Sequence, residues 1–223
     1  MKKILFFAIC VMALVFAGCD HEEPATLDKI AIEAVDLGLS VKWANMNVGA
    51  NAPEDYGDYF AWGETEPKEV YDWSTYKYCN GSYYTLTKYN NRSSYGSVDN
   101  KTTLKLADDA ARVNWGGSWR MPTEVEQDEL CNNCTWTWAT QNGVQGYKVT
   151  SKKNGNSIFL PPAGCRRDSS LYGAGSSNVH FWSSSRYTDD PSRAYELHFY
   201  SGFFANTSSY KRSHGLSVRP VCQ

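Results

Sequence analysis

The sequence predicts an α+β domain with two short helices and several mostly antiparallel strands. Aromatic residues make up 14% of the 223-residue chain, which also contains 17 glycines. This composition favours many short strands joined by turns over long helices. Two segments with helical signals precede a series of segments with strand signals, and such segregation along the chain is typical of α+β domains.

The first half of the chain has two strand signals and one long segment without a period. In residues 36–43, apolar residues occupy every second position from Leu37 to Trp43, which indicates a half-buried strand. Residues 58–63 are a second candidate strand. Residues 64–100 are rich in Asn, Gly, Ser and Tyr and have no sustained period, so we expect a long ordered loop.

The two predicted helices follow this loop. Residues 104–113 have apolar residues at helical spacing and precede two consecutive glycines, which end the helix. The second helix begins at residue 122 and runs to about residue 132. Its start is marked by Thr123 and Glu126, whose spacing is that of a capping box.

The remainder is predicted to form strands. Residues 146–150 and 157–161 flank a turn with Asn154 and Gly155, which predicts a hairpin. The further predicted strands are residues 180–186, 194–200 and 216–221. In the second of these the inward set is Tyr195, Leu197 and Phe199, or the reverse set if the register slips by one residue.

The N-terminus resembles a lipoprotein signal peptide. Two lysines precede an apolar run over residues 4–16 that is too short to span a bilayer, and small residues lead to Cys19. We expect a signal peptide over residues 1–18, a lipidated Cys19 with a flexible tether over residues 19–34, and one domain over residues 35–223. The alternative is a plain secretory peptide cleaved nearby.

The expected location follows from the residues after Cys19. Acidic residues directly after the lipidated Cys resemble the export tag of surface lipoproteins in Bacteroidetes-type bacteria. The sequence therefore predicts an outer-membrane lipoprotein, lipid-anchored and facing the exterior. Removing Lys2 and Lys3 with the signal peptide changes the formal charge from −2 to −4. The domain has no basic stripe, so nucleic acid is not an expected partner.

Five cysteines fall in the predicted domain, and their use is consistent with an oxidising compartment. They are Cys79, Cys131, Cys134, Cys165 and Cys222. Because five is odd, at least one thiol is unpaired or pairs between molecules. Cys131 and Cys134 have the two-residue spacer of zinc and dithiol sites, but no second ligand pair accompanies them. We interpret them as structural, one of them bridging to Cys79 or Cys222, and expect no metal and no cofactor.

Residues 179–214 have the composition of a binding surface. They include 4 Tyr, 8 Ser and 3 of the 4 His of the chain. Tyr supplies contact area with little loss of rotamer freedom, and Ser adapts to polar partners. The alternative is a Ser-rich surface of an ordinary β domain. The candidate ligand-binding residues are Arg186, Tyr187, Arg193, Glu196, His198, Tyr200, Phe203, Phe204, Asn206, Tyr210 and Arg212.

Seven motifs, in order along the chain, resemble the Fibrobacter succinogenes major paralogous domain family. The motifs are DLGLSVKWA at 36–44, YFAWGE at 59–64, DDAAR at 108–112, GSWRMPT at 117–123, FLPPAG at 159–164, FWSSS at 181–185 and SVRPV at 217–221. The resemblance runs from about residue 35 to the C-terminus and implies a C-type-lectin-like fold. It departs from the family pattern at Gln127, where an aromatic residue is expected, and at Cys131 and Cys165.

The same resemblance connects the fold to formylglycine-generating enzymes and to the variable proteins of diversity-generating retroelements. In the variable proteins the hypervariable segment lies just before a C-terminal framework strand, where this chain has its Tyr, Ser and His residues. Whether this segment is actively diversified or has diverged by ordinary mutation stays open.

The residues support neither a lectin-type calcium site nor the copper-dependent chemistry of the formylglycine-generating enzymes. The amide of a lectin-type calcium site is missing at residues 65–68, and Trp182 is followed by two serines. Cys165 and Cys222 lack the local context of a copper-binding pair. Glu196 and His198 lie two residues apart and form either a metal or acid–base pair or a polar recognition patch, and we favour the patch.

We therefore expect a surface-anchored, non-enzymatic, adhesin-like lipoprotein that recognises a protein or a glycan, with no catalytic residue. The alternative is a structural component of the cell envelope or of a fimbria-like assembly. An enzyme comes third and would need Glu196 and His198 in a deep pocket.

Overall fold

The computed structural model describes residues 31–176, 179–199 and 206–223. In this part of the chain there are two α-helices, α1 (Ala110–Trp115) and α2 (Glu124–Asn133), and three short 3₁₀ helices. The strands are β1 (Ala34–Val35), β2 (Lys42–Ala44), β3 (Phe60–Ala61), β4 (Cys134–Gln141), β5 (Val144–Ser151), β6 (Ser157–Leu160), β7 (Cys165–Arg167), β8 (Ser170–Tyr172), β9 (Val179–Arg186), β10 (Arg193–Phe199), β11 (Asn206–Lys211), β12 (Gly215–Leu216) and β13 (Val221–Cys222).

The strands form four small sheets. Their orders are β1-β2-β13, β11-β10-β9, β3-β12-β7-β8 and β4-β5-β6. Every pairing between these strands is antiparallel. The predicted α+β class with mostly antiparallel strands and two short helices is confirmed. None of the helices in the described residues is long and apolar enough to cross a membrane.

The second helix begins as predicted. Thr123 accepts a hydrogen bond from the Glu126 backbone, and the Glu126 carboxylate accepts one from the Thr123 backbone at 2.8 Å. Arg120 also pairs with Glu126 at 2.6 Å. Gln127 is fully buried and donates a 3.1 Å hydrogen bond from its amide to the Phe181 carbonyl. The amide that replaces the expected aromatic residue thus ties α2 to β9.

The first helix is shorter than predicted. Residues 106–108 form a 3₁₀ turn, and α1 starts only after Asp109, whose carboxylate accepts from the backbone N–H of Arg112 at 3.0 Å and of Met121 at 2.8 Å. Leu106 and Val113, two of the apolar residues behind the prediction, are 54% and 47% exposed. Their helical spacing did not mark a buried face.

The predicted strand at 36–43 is wrong for most of its length. Gly38 has φ +68°, and its N–H donates to the Asp36 carboxylate at 2.7 Å, so a turn interrupts the extended chain before β2. The side chains of Leu37, Val41 and Trp43 are nevertheless buried, as the alternation predicts, whereas Leu39 is only half-buried.

The hairpin at 146–161 is confirmed as β5 and β6. β3 lies within the second predicted strand, and residues 64–100 form the predicted long loop of turns and short 3₁₀ helices. Strands β1, β4, β7, β8 and β11 were not predicted. The predicted strand at 216–221 is wrong in its middle, because only its ends belong to strands, β12 and β13, and residues 218–220 between them are not in a strand.

The five cysteines of the described residues are all free thiols, so the predicted bridge to Cys79 or Cys222 is not formed. Cys131 and Cys134 pack in or against one apolar core cluster, while Cys79 and Cys165 belong to the other. Burial raises the pKa of Cys131 to about 12 and that of Cys134 to about 11, which keeps both thiols protonated at neutral pH. Among the described residues no group of three or more His, Cys, Asp or Glu side chains is arranged to hold a metal ion.

Candidate ligand-binding surface

The predicted binding segment forms the sheet β11-β10-β9. The register sets His198 opposite His180 and Leu197 opposite Phe181, with an irregularity between Ala194 and Glu196. Leu197 is buried in an apolar core cluster, as is Phe199, while Tyr195 is half-buried. Glu196, on the other face, is also buried. Both faces of the sheet are therefore covered over part of its length. A strand with one buried and one exposed face does not describe this arrangement.

Three of the candidate ligand residues are buried and are not presented to a ligand. The exposed fraction is 3% for Arg186, 1% for Glu196 and 0% for Arg212. Their charges suggested a surface position, because charged side chains are seldom fully buried. Each is instead held by hydrogen bonds within the domain.

Arg212 joins the long loop to the turn between β9 and β10. Its guanidinium donates to the carbonyl oxygens of Lys88 at 3.0 Å, Tyr89 at 3.2 Å and Pro191 at 2.8 Å, and to the Tyr76 hydroxyl at 2.9 Å. No carboxylate contributes to this set of contacts. Three of these oxygens are backbone carbonyls of the long loop and of the turn, so Arg212 holds these two segments together.

Arg186 has a similar role at the end of β9. Its guanidinium donates to the Tyr187 carbonyl at 2.7 Å and to the Lys101 carbonyl at 3.3 Å. Burial and the nearby positive charge of Arg212 lower the pKa of Arg186. Together the two arginines hold the long loop against the turn that carries Tyr187.

Five partly exposed tyrosines, named below the tyrosine surface, form two groups of contacting rings, one in the long loop and one beside the turn between β9 and β10. They are Tyr83, Tyr84, Tyr95, Tyr187 and Tyr195. The ring centroids of Tyr83 and Tyr84 are 4.0 Å apart, and Tyr95 lies 6.2 and 5.7 Å from them. Tyr187 and Tyr195 make an edge-to-face contact at 5.1 Å. Tyr84 is the most exposed of the loop rings, at 56%.

Carboxylates of the turn between β9 and β10 act electrostatically on both parts of the tyrosine surface. The pKa of Tyr83 is raised by its hydrogen bond with Tyr84 and also by the carboxylate of Asp190, which belongs to the turn between β9 and β10. The pKa of Tyr187 is raised by the neighbouring Asp189. The surface thus combines aromatic rings with two turn carboxylates. Arg193, half-buried on the same strand as Tyr195, donates to the Ser209 hydroxyl at 2.9 Å.

A second group, the histidine cluster, lies on the other face of the sheet. It consists of His180, Glu196, His198, Tyr210 and His214. Glu196 pairs with the Nδ1 of His180 at 2.8 Å, and the rings of His180 and His198 stack at 4.4 Å. The Tyr210 ring lies 5.2 Å from the rings of both His180 and His214.

Burial lowers the pKa of two histidines of this cluster. It lowers the pKa of His214 to about 4, with a further contribution from the positive charge of Lys211. Burial and the adjacent His180 lower the pKa of His198. Both of these imidazoles are therefore neutral at pH 7.

The side chain of Tyr210 is half-buried and makes contacts within the domain. Its hydroxyl accepts a short hydrogen bond from Arg167 and lies 3.5 Å from the Cys165 sulfur. Burial is the main cause of its raised pKa. Asn206 begins β11 opposite His198. Tyr200, Phe203, Phe204 and Cys19 lie outside the described residues.

Two surface clefts lie away from these groups. One, of about 300 Å³, is lined by residues that include Pro53, Ala139 and Phe159, and the other, of about 270 Å³, by residues that include Asp58 and Arg166. Neither contains Glu196 or His198, so these clefts lend no support to the enzyme alternative.

The loop tyrosines were missed at the sequence level. The signal was the presence of seven Tyr in residues 64–100. Four of them, Tyr71, Tyr76, Tyr78 and Tyr89, are buried, and composition alone does not separate these from the exposed three.

Comparison with protein-family models, with curated proteins and with solved structures finds no match.

Proposed function

We propose that the protein is a surface-anchored, non-enzymatic binding module that recognises a glycan or protein ligand through the tyrosine surface. The observation that carries the proposal is the presence of five partly exposed tyrosines in two groups of contacting rings, one in the long loop and one beside the turn that the buried Arg186 holds. Aromatic faces provide stacking area, and the turn carboxylates provide hydrogen-bond acceptors. A rigid backbone beneath them lowers the entropy that is lost on binding.

The proposal includes a C-type-lectin-like fold of the major paralogous domain family. Contacts between the sequence motifs support this assignment. Arg219 of the SVRPV motif is buried and donates to the Asn47 side chain at 2.8 Å, to the Ala44 carbonyl at 3.1 Å and to the Phe159 carbonyl at 2.9 Å. Ala44 and Phe159 belong to two other motifs. The motif residues thus contact each other in the core, as a shared fold requires.

The non-enzymatic part of the proposal is supported by the histidine cluster. Glu196 is paired with His180, the pKa of the Tyr210 phenol is raised by burial, and His198 and His214 have lowered pKa values. The enzyme alternative needs Glu196 and His198 in a deep pocket, and neither of the two clefts described above contains them. A lipid anchor on Cys19 would place the tyrosine surface outside the cell.

The test is a binding screen of the protein against arrays of glycans and of host and bacterial surface proteins. The double variant Tyr84→Ala/Tyr187→Ala removes one ring from each part of the surface. We expect it to lose ligand capture while its thermal midpoint stays within a few degrees, because both rings are partly exposed.

The matched control is Tyr172→Ala, which removes a tyrosine of β8 that is 47% exposed and contacts Arg167. It should leave capture unchanged. Equal loss of capture in the control and the double variant, or unchanged capture in both, would contradict the proposed surface. A glycan-only or protein-only signal identifies the ligand class.

A further inference from the structure

The edge of the sheet β4-β5-β6 is formed by strand β4, which pairs only with β5 among the described residues. Its eight residues, Cys134–Gln141, contain no charged residue, no Pro and no Gly. Natural proteins usually protect such edges with charges, prolines, bulges or a covering segment. Strand β4 has none of the first three devices, since its register with β5 is continuous from end to end.

The edge is also accessible. Thr135, Thr137, Trp138 and Thr140 are exposed, and the exposed fraction of Trp138 is 39%. An exposed tryptophan on a regular, uncharged strand is typical of a surface that pairs with another strand.

The turn after β4 determines which backbone groups point outward. Asn142 and Gly143 have φ values of 47° and 83°, as in a two-residue type I′ hairpin, and Gln141 pairs with Val144. In such a hairpin the residues that flank the turn exchange both hydrogen bonds, and bonding then alternates along the ladder. The N–H and C=O groups of the even-numbered residues, including Trp136 and Trp138, therefore point away from β5.

We propose that β4 pairs antiparallel with β4 of a second copy of this chain. The two-fold axis passes between the two Thr137 residues, and Trp136 of each copy lies opposite Trp138 of the other. In this register the outward groups of the even residues meet, which allows about eight backbone hydrogen bonds between the copies. Antiparallel pairing of identical strands is self-complementary, as a two-fold interface requires.

The charges at the two ends of β4 fit this arrangement. Glu54 lies at the C-terminal end, where it accepts from Asn142 at 2.6 Å and from Gln141 at 3.1 Å. Lys152 lies at the N-terminal end, where its Nζ donates to the Asn132 carbonyl at 2.8 Å. Antiparallel pairing brings the Glu54 end of one copy to the Lys152 end of the other.

The carboxylates of Asp128 and Glu129 lie in α2, which leads into the Lys152 end of β4, and that of Asp128 accepts a hydrogen bond from the Thr207 hydroxyl at 2.8 Å. Glu129 contributes to the electrostatics at Cys134, but its carboxylate accepts from the Ser40 backbone at 3.0 Å and from the Ser40 hydroxyl at 2.5 Å. The Glu129 carboxylate therefore lies against the segment before β2. These charges favour a second copy over an unrelated strand, because antiparallel pairing of two copies brings Glu54 of one towards Lys152 of the other at both ends of the interface.

The first test is sedimentation of the full chain, kept in a non-ionic detergent, over a concentration series. We expect a monomer–dimer equilibrium for the natural sequence. Thr137→Glu sets a carboxylate opposite Lys148 within the chain, which favours the fold, but sets two carboxylates face to face across the axis. This variant should dissociate at least several-fold more readily.

A mixture of two variants with opposite charges tests whether the two Thr137 residues face each other. Thr137→Lys alone should also weaken the dimer, whereas an equimolar mixture of Thr137→Glu and Thr137→Lys should form a heterodimer. Tyr84→Ala, on the tyrosine surface, should dimerise like the natural sequence. A natural sequence that stays monomeric at all concentrations, or a Thr137→Glu variant that dimerises like it, would overturn the proposal.

The register is tested by cross-linking. Thr137→Cys should form an intermolecular disulfide, because the two side chains meet at the axis on the same face. Thr135→Cys, on the same strand and face, should not react with itself but should cross-link to Ala139→Cys of another chain. Cross-linking of Thr135→Cys with itself and not of Thr137→Cys would contradict the proposed pairing.

Discussion

Trp62 and Trp182 each donate a hydrogen bond to the segment that carries the other. The indole of Trp62 donates to the Ser183 carbonyl at 2.8 Å, and that of Trp182 donates to the Phe60 carbonyl at 2.7 Å. Both side chains are fully buried. The reciprocal pair joins β3 to β9, so the frame of the binding sheet is fixed to the first half of the domain.

Replacing Trp62 by Phe should destabilise the domain. The change removes the indole N–H, leaves the Ser183 carbonyl without this partner, and opens space beside Arg212, which stacks on the Trp62 ring at 4.8 Å. We expect a loss of about 2–4 kcal/mol in the free energy of unfolding. Urea unfolding measures it, and a loss similar to that of Trp119→Phe, at a half-buried position whose ring contacts Trp115, would contradict the assigned role.

Arg212 should contribute to stability rather than to ligand contact. Arg212→Met removes the donors to four oxygens while keeping an apolar chain of similar length. Because those buried acceptors are left unsatisfied, we expect a loss of about 3 kcal/mol. The control is Arg193→Met at a half-buried position, which should cost about 1 kcal/mol or less. Equal losses in chemical denaturation would show that Arg212 does not hold the loop.

Local signals predicted the elements that depend on local chemistry. The capping box of Thr123 and Glu126 and the hairpin of β5 and β6 both follow from residues close in sequence, and both are confirmed. Strand β4 was missed although it is long. Its residues Cys134, Trp136 and Trp138 alternate with threonines, which is a strand pattern, but the strand follows the end of α2 directly, without a turn signal between them.

The candidate site was only partly predictable because burial of a charged residue depends on distant partners. Arg212 finds its acceptors at Tyr76, Lys88 and Tyr89, more than 120 residues away in sequence. Nothing in the local sequence separates Arg212 from the half-buried Arg193. The exposed loop tyrosines were missed for the same reason, because no local pattern separates them from the buried tyrosines of the same loop.

All five cysteines of the domain should be recovered as free thiols. Alkylation in denaturant without reductant, followed by peptide mapping, should label Cys79, Cys131, Cys134, Cys165 and Cys222. In the native state Cys131 should react slowly, because burial raises its pKa to about 12 and little thiolate forms at pH 8. A disulfide-linked peptide pair among these five residues would contradict the free-thiol state.

Stability should fall as the pH is lowered from about 6.5 towards 4, because His214 is neutral in the folded domain. Its folded pKa is about 4, whereas an unfolded histidine has a pKa of about 6.5. Between these values the unfolded state binds more protons, so stability rises with pH across this window. The full shift would correspond to about 3 kcal/mol, and partial exposure of the ring reduces the expected loss to about 1–2 kcal/mol.

The measurement compares urea unfolding at pH 7.5, 5.5 and 4.5 for the natural sequence and for His214→Gln. Acidic groups such as Asp108, whose pKa is lowered by hydrogen bonds from Lys88 and the tyrosines, also lose stabilising charge in acid. The two proteins are therefore compared by the difference between their free energies of unfolding at each pH. That difference should shrink as the pH falls, because only the natural sequence loses the stability of a neutral buried imidazole. A difference that stays constant from pH 7.5 to 4.5 would show that His214 is not the titrating group.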